Sequence, residues 1–365
     1  MKIKSAVVMS QGADIAIMDL ELDDPKANEV LIKTVASGLC HTDLAGRDAG
    51  MAPYPLALGH EGSGIVEKVG SAVTTVQPGD HVVTSFGYCG HCRNCLTGHP
   101  ALCQDLNTLN FGGHHYDGTH RHHFEDGSDV SSFFGQSSLS QYIVADEHNV
   151  VKVDKEVDLR LLGPLACGLQ TGAGTVLNYL KPEFGSTLVV AGVGGVGLAA
   201  IMAAKICNLK EIIAIDIHDN RLELAKELGA TAVINSKTID GSVEDTIRAL
   251  VPNGVDYSID TTGYSPLIKE LVHALRPGGT AMLIGMTGDL TLNIQAELMA
   301  DSKKLIGLVE GDSIPQLFIP ELVNYYKAGL FPFDKLVKFF PFENIQGAVD
   351  AMLDGSVIKP IVTFD

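Results

Sequence analysis

The sequence predicts an α/β protein of two domains. One is a β-rich, barrel-like domain over residues 1–160 completed by 301–365, and the other is a doubly wound parallel-sheet domain over 161–300. Length is the first observation behind this, because 365 residues exceed what one hydrophobic core usually serves. The second is a change of texture, from short strand-like runs to strands alternating with helices. The third is a glycine turn at 192–197, set between an apolar strand and a helix.

In the first domain EVLIKTVASG, GSGIVEKVG, DHVVTSF, SQYIVAD and NVVKVD are short β-rich runs broken by Gly and Pro, the pattern of a mostly antiparallel barrel. Residues 104–137 are polar and rich in Gly, Ser and His, and their weak periodicity predicts a loop. In the second domain STLVVAG, EIIAIDI, TAVIN, VDYSID and TAMLIGM alternate with helical stretches such as GLAAIMAAKIC and NRLELAKELG. Apolar strands separated by helices predict a parallel sheet covered on both faces. After about residue 300 the alternation stops, and the tail through IKPIVTFD is expected to rejoin the first domain.

Composition removes several classes of function. A formal charge of −18 with no compensating Lys/Arg run repels polyphosphates and anionic lipid, so neither nucleic acid nor membrane is an expected partner. No apolar run reaches the roughly 18 residues of a membrane span, and the N-terminal stretch lacks the apolar core of a secretory signal. A cytoplasmic location is therefore expected. The seven cysteines are an odd number and clustered, which in a reducing compartment indicates metal or catalytic chemistry rather than a disulfide framework.

In STLVVAGVGGVGLAAIMAAK, Gly192, Gly194 and Gly197 spell GxGxxG after a strand and before a helix, and Gly195 in the same turn is a further cofactor-binding candidate. Such glycines let backbone approach a pyrophosphate at the positive end of a helix dipole. Asp216 ends the next strand, where a carboxylate can accept hydrogen bonds from an adenosine ribose and repel a 2'-phosphate, so NAD is the expected cofactor. Arg221 has two readings, one beside that ribose and one as a solvated helix residue next to Glu223.

CGHCRNCLTGHPALC places Cys89, Cys92, Cys95 and Cys103 on one short polar loop. Four thiolates so spaced match a closed tetrahedral Zn2+ site that supports the fold and leaves no position for substrate. An iron–sulfur cluster is the competing use, although the familiar ferredoxin run brings its fourth Cys closer and follows it with Pro. Cys40, His60 and Cys167 are spread widely. Two thiolates and an imidazole with a fourth position open describe a catalytic Zn2+, but spacing alone does not bring the three together.

GLCHTD, GHEGSGIVEKVG, GDHV, the four-cysteine loop, GPLACGLQTGAG and GVGGVG follow one another in an order that resembles the zinc-containing medium-chain alcohol dehydrogenases, over essentially the whole chain. NFGG, FFGQSSLSQYIV, GLVEGDSIPQLFIP and FDKLVKFFPFE resemble the aryl-alcohol (benzyl-alcohol) branch in particular. The resemblance implies a GroES-like catalytic domain, a Rossmann domain, one catalytic and one structural Zn2+ per chain, and a homo-oligomer, dimer or tetramer. It implies NAD-linked oxidation of a small primary alcohol, aromatic or allylic, to its aldehyde. By that resemblance Cys40, His60 and Cys167 bind the catalytic Zn2+, and Glu61 lies near it as a transient ligand. Asp43 holds the second ring nitrogen of His60, Thr42 passes on the alcohol proton, and Lys359 either sits where relatives place a basic residue on the cofactor phosphates or is a surface lysine.

Two positions depart from the family pattern. Ala45 stands where several relatives carry a His that passes the proton to solvent, which leaves the exit route open. His41 stands where many relatives carry Arg against the pyrophosphate, so NADH binding is expected to weaken as its imidazole deprotonates. The cluster His114, His115, His120, His122 and His123 has no metal-ligand spacing and is expected in a solvated loop, and Cys207 among Ala, Ile and Met is expected to pack as a small hydrophobe. The rival functions are glutathione-linked formaldehyde oxidation, which needs a cationic pocket, general short-chain alcohol oxidation, and a non-catalytic nucleotide-binding or redox-sensing protein, which could dispense with the catalytic ligands.

Overall fold

A computed structural model describes residues 1–364 of the chain. It divides into two compact units. The first comprises 1–168, 313–329 and the residues from Phe333 onward; the second comprises 169–312 and 330–332.

In the first unit short strands close a small barrel from Lys2–Val8, Ala16–Leu22, His122–His123, Asp129–Ser132 and Leu56–Ala57. A larger sheet is built around Glu29–Gly38, which pairs antiparallel with Glu61–Val69, Tyr142–Asp146 and the C-terminal strand Lys359–Thr363. That register sets Gly38 opposite both Glu61 and Ile361, so residues distant in sequence start from neighbouring points on one strand end. Val8, Leu39, Leu44, Leu56, Leu58, Phe86, Phe133 and Phe134 fill the core beneath them.

In the second unit six parallel strands run in the order Ala232–Asn235, Glu211–Asp216, Thr187–Ala191, Val255–Asp260, Leu275–Leu283 and Lys304–Gly307. Counted along the chain this is 3-2-1-4-5-6, the Rossmann order, in which ligands bind beyond the carboxyl ends of the strands where the order reverses. Thr187–Ala191 is buried along its whole length and lies at that reversal. Among the described residues no helix is long and apolar enough to cross a membrane.

The expectation of a loop over 104–137 is corrected. This segment holds the helix Leu106–Phe111 and two strands of the closed barrel, and several of its polar side chains are buried. The Arg121 guanidinium, 1% exposed, donates to both oxygens of Glu29 at 2.9 and 2.7 Å and to Asp117 at 3.0 Å. His115 and His122, also buried, both meet the Ser132 hydroxyl, at 3.3 and 3.2 Å. Polar groups can leave water when they satisfy one another, and an alternation of apolar residues does not register that kind of burial. The solvated histidine loop is corrected for the same reason.

His122 carries a testable consequence. Burial, then the positive neighbours His115, His123, His120 and Arg121, pushes its pKa down to about 3. An unfolded chain takes up that proton near pH 6.5. The unfolded state therefore binds more protons across the interval from about 6.5 down to about 3, and the contribution of a neutral His122 is lost as pH falls through it. We expect the unfolding temperature to drop between pH 7.5 and 5.5, and His122→Asn, which cannot take up this proton, to drop less. Parallel pH dependences in calorimetry would contradict the assignment.

Candidate active site

Cys40 caps the helix His41–Asp48, and Asp43, in that helix's first turn, accepts the Cys40 backbone N–H at 2.9 Å on Oδ2. Its other oxygen accepts the Gly59 backbone N–H at 3.1 Å and lies 3.0 Å from His60 Nδ1. One fully buried carboxylate thus ties together the segments bearing Cys40 and His60. Because an ionised carboxylate only accepts, the His60 proton belongs on Nδ1, and the Nε2 lone pair is free for another partner.

That Nε2 is buried and has no hydrogen-bond partner. Cys40, His60, Glu61 and Cys167 each present one ligand atom within 4.8 Å of the others. Phe134 stacks on the imidazole at 4.6 Å between ring centroids and Phe133 meets it edge-on at 5.7 Å, which fixes the ring plane. The Cys40 thiol is held well below its ordinary pKa, first by the neighbouring Cys167 thiol and then, against the opposing effect of burial, by the charge of Lys359. An orphaned imidazole nitrogen beside two thiols, one of them acidified, is the donor set of a Cys2His catalytic zinc site.

The approach of Cys167 depends on Gly163. A Cβ there would lie 2.2 Å from the Glu61 carbonyl oxygen, so only glycine lets the turn Gly163–Ala166 press against the strand and deliver Cys167. Sequence reasoning missed Gly163, Gly38, Phe134 and Phe133 as parts of the site. Their signal was available only as membership of the motifs GPLACG, GLCHTD and FFGQSS.

Thr42 is half-buried, with its Oγ1 3.6 Å from Cys40 Sγ, and His41 is exposed on the same turn. Lys359 is not a surface side chain. It is 5% exposed, and its three ammonium protons go to the two Glu61 oxygens, at 2.8 and 2.9 Å, and to the Leu39 carbonyl at 3.3 Å. A buried carboxylate demands such a counter-charge. Even so, burial raises the Glu61 pKa to about 7, with Lys359 working against the rise.

The second cysteine group lies apart from this one in sequence but in the same unit. Cys89, Cys92, Cys95 and Cys103 present their sulfurs within 4.8 Å of one another. The Cys92–Cys95 and Cys89–Cys95 separations are 3.5 and 4.0 Å. A tetrahedral ion with Zn–S bonds of about 2.3 Å requires about 3.8 Å between sulfurs, so the compass is that of a single ion. Backbone N–H groups of Cys89, Cys92 and Asp105 point at Cys103, Cys89 and Cys103 sulfurs at 3.2, 3.3 and 3.4 Å, which stabilises thiolates.

In the second unit the glycine loop leaves the central strand at Gly192, whose φ of 82° suits glycine. A Cβ at Gly197 would fall 2.0 Å from the Gly192 carbonyl oxygen, so that glycine seats the helix Gly195–Ile206 on the loop. A Cβ at Gly194, the cap of that helix, would meet nothing within 4 Å, so the helix N-terminus opens onto free space suited to a phosphate. Asp216 accepts the Val193 N–H on one oxygen, at 2.8 Å, and the Ile217 and His218 N–H groups on the other, at 2.7 and 3.0 Å. The carboxylate therefore ties the glycine loop to the next strand end. Arg221 is half-buried, with its Nε enclosed and without a hydrogen-bond partner.

Comparison with known proteins gives a consistent pattern. Residues 26–155 match the model of the alcohol dehydrogenase GroES-like domain, and 195–324 match that of the zinc-binding dehydrogenase domain. The chain is 41% identical to geraniol dehydrogenase of Castellaniella defragrans, over 99% of this chain and 97% of that one. Among solved structures it is similar to benzyl alcohol dehydrogenase from Acinetobacter calcoaceticus, with 44% identity, a TM-score of 0.93 and full coverage of both chains. An alcohol dehydrogenase zinc-binding domain protein from Burkholderia ambifaria shows 44% identity and a TM-score of 0.96, over all of this chain and 99% of that one.

Proposed function

Because this chain belongs to the zinc-dependent medium-chain alcohol dehydrogenase family, we propose that it oxidises a primary aromatic or allylic alcohol to the aldehyde with NAD as hydride acceptor. The observation that carries the proposal is the convergence of Cys40, His60 and Cys167 around a buried, unpartnered His60 Nε2. Geraniol is an allylic alcohol and benzyl alcohol a benzylic one. In both the reacting carbon adjoins a π system that conjugates with the developing carbonyl, and the relatives named for them support this substrate class.

Cys40, His60 and Cys167 would hold the catalytic zinc, and Cys89, Cys92, Cys95 and Cys103 the structural one. The catalytic ion, when bound, supplies Lewis acidity that makes a hydroxyl at its open position far easier to deprotonate. Thr42 Oγ1, two residues from Cys40 and turned toward its sulfur, would relay the departing proton, taking it up as its own hydroxyl proton passes to a ribose hydroxyl of the cofactor. Asp43 keeps His60 in the tautomer that leaves Nε2 basic, and Phe134 prevents the ring from turning. In the other unit the Gly192–Gly197 loop receives the NAD pyrophosphate, and Asp216 and Arg221 lie at its adenosine end. The proposal extends to a cytoplasmic homo-oligomer.

The direct test mixes purified protein with NAD and benzyl alcohol, geraniol or a short aliphatic alcohol, and follows NADH absorbance. Faster turnover of the first two supports the proposal; no NADH from any of them, with zinc present, overturns it. Asp216 supplies a sharper prediction on the cofactor. Losing hydrogen bonds to its charged carboxylate, worth about 1.5–3 kcal/mol, should weaken NADH binding of Asp216→Asn by roughly 10- to 100-fold. NADPH should lose less, because the repulsion of its 2'-phosphate is relieved; fluorescence titration with both cofactors measures the ratio.

A further inference from the structure

Glu61 opens its strand with a side chain that is entirely buried, and the space it fills is built for it. A Cβ on Gly38 would come within 2.0 Å of Glu61 Oε2, so the recess exists only because residue 38 has no side chain. Lys359 closes the recess from the neighbouring strand. The pairing of Ile361 with Gly38 fixes its backbone, and all three of its ammonium protons are committed there. Yet the same carboxylate offers an oxygen within 4.8 Å of the ligand atoms of Cys40, His60 and Cys167. It thus has two competing partners, the ammonium in the recess and any cation held by the three ligands.

We propose that Lys359 is a positioning residue that retains the Glu61 carboxylate in the Gly38 recess and so keeps the fourth position of the catalytic metal open for alcohol. The inference rests on the reading of Cys40, His60 and Cys167 as metal ligands. A buried carboxylate that loses its ammonium partner must take up a proton or turn to another positive charge. With Lys359 removed, a cation bound by the three ligands is the remaining positive charge within reach of the carboxylate, and Glu61 becomes a fourth ligand.

The test compares Lys359→Met, Lys359→Arg, Gly38→Ala and the double variant Lys359→Met/Glu61→Gln with the unmodified holoprotein. Zinc loss to a chromogenic chelator is followed in time, with the four-cysteine site as internal reference, and the visible spectrum is recorded after cobalt replaces the catalytic zinc. In Lys359→Met, removal of the catalytic metal should slow by about tenfold, the cobalt bands should shift, and KM for alcohol should rise by about tenfold, the scale on which groups behind metal ligands act. Lys359→Arg should stay near the unmodified protein, and the double variant should return toward it in all three readouts. Gly38→Ala expels the carboxylate with both charges retained and should reproduce the effect of Lys359→Met, which keeps the test available if Lys359→Met does not fold. Unchanged chelation and spectra in Lys359→Met or Gly38→Ala, or a double variant that remains altered, would overturn the proposal alone. A single extractable zinc in the unmodified chain would instead overturn the assignment of the three ligands, and this proposal with it.

Discussion

His60→Ala should leave one zinc per chain instead of two and lower kcat/KM for alcohol oxidation by at least about 10^3-fold. Several kcal/mol of charge stabilisation come from a catalytic metal, and each 1.36 kcal/mol is a factor of ten in rate. The loss should be large because His60 supplies the imidazole among the ligand groups gathered there. Asp43→Asn should be milder, about 10- to 100-fold, since an amide oxygen can still accept from Nδ1 while the amide NH2 faces the Cys40 N–H and spoils the helix cap. Metal analysis with initial rates distinguishes the two. A His60→Ala protein that keeps both zinc ions and full activity would refute the mechanism.

The other large effect is expected at the four-cysteine lobe. Cys95→Ser, or selective removal of the metal there, should lower the unfolding temperature by roughly 10 °C or more. Structural zinc binds peptide sites with about 10–16 kcal/mol, and in a domain of this size each kcal/mol lost shifts the transition by about 2–4 °C. Pro100 and Ala101 anchor one end of the lobe in the core, but the stretch before them packs poorly. The four-residue helix Arg93–Leu96 buries none of its side chains, and Leu96 is 73% exposed. Calorimetry with limited proteolysis would check this; cleavage should appear first between residues 93 and 102. Equal melting with and without the metal would show that the lobe folds unaided.

The two metal sites differ in how far they can be read from sequence. Cys89, Cys92 and Cys95 recur every third residue, so the connecting backbone itself keeps their sulfurs within reach of one ion. The glycine turn at 192–197 is equally local, since a strand, a tight turn and a helix N-terminus succeed one another without help from elsewhere in the chain. Strand and helix alternation, read through residue periodicity, likewise predicted the parallel sheet.

The catalytic group is not local in this sense. Cys40, His60 and Cys167 meet because Gly38 pairs with Glu61 across two strands, Gly163 allows close approach, and a buried Asp43 joins two segments. From the chain alone, only resemblance to a family suggested that they converge. Polarity misled at Arg121, His115 and His122, because composition indicates whether a group prefers water but not whether Glu29 or Ser132 will replace it. Lys359 shows the same limit. What the amino-acid sequence by itself determined was everything governed by neighbours along the backbone: the strand and helix pattern, the cysteine lobe and the nucleotide turn. Which charges are buried together, and which carboxylate lies beside the catalytic ligands, was decided only by the tertiary structure, because electrostatic compensation depends on distances in space that sequence separation does not encode.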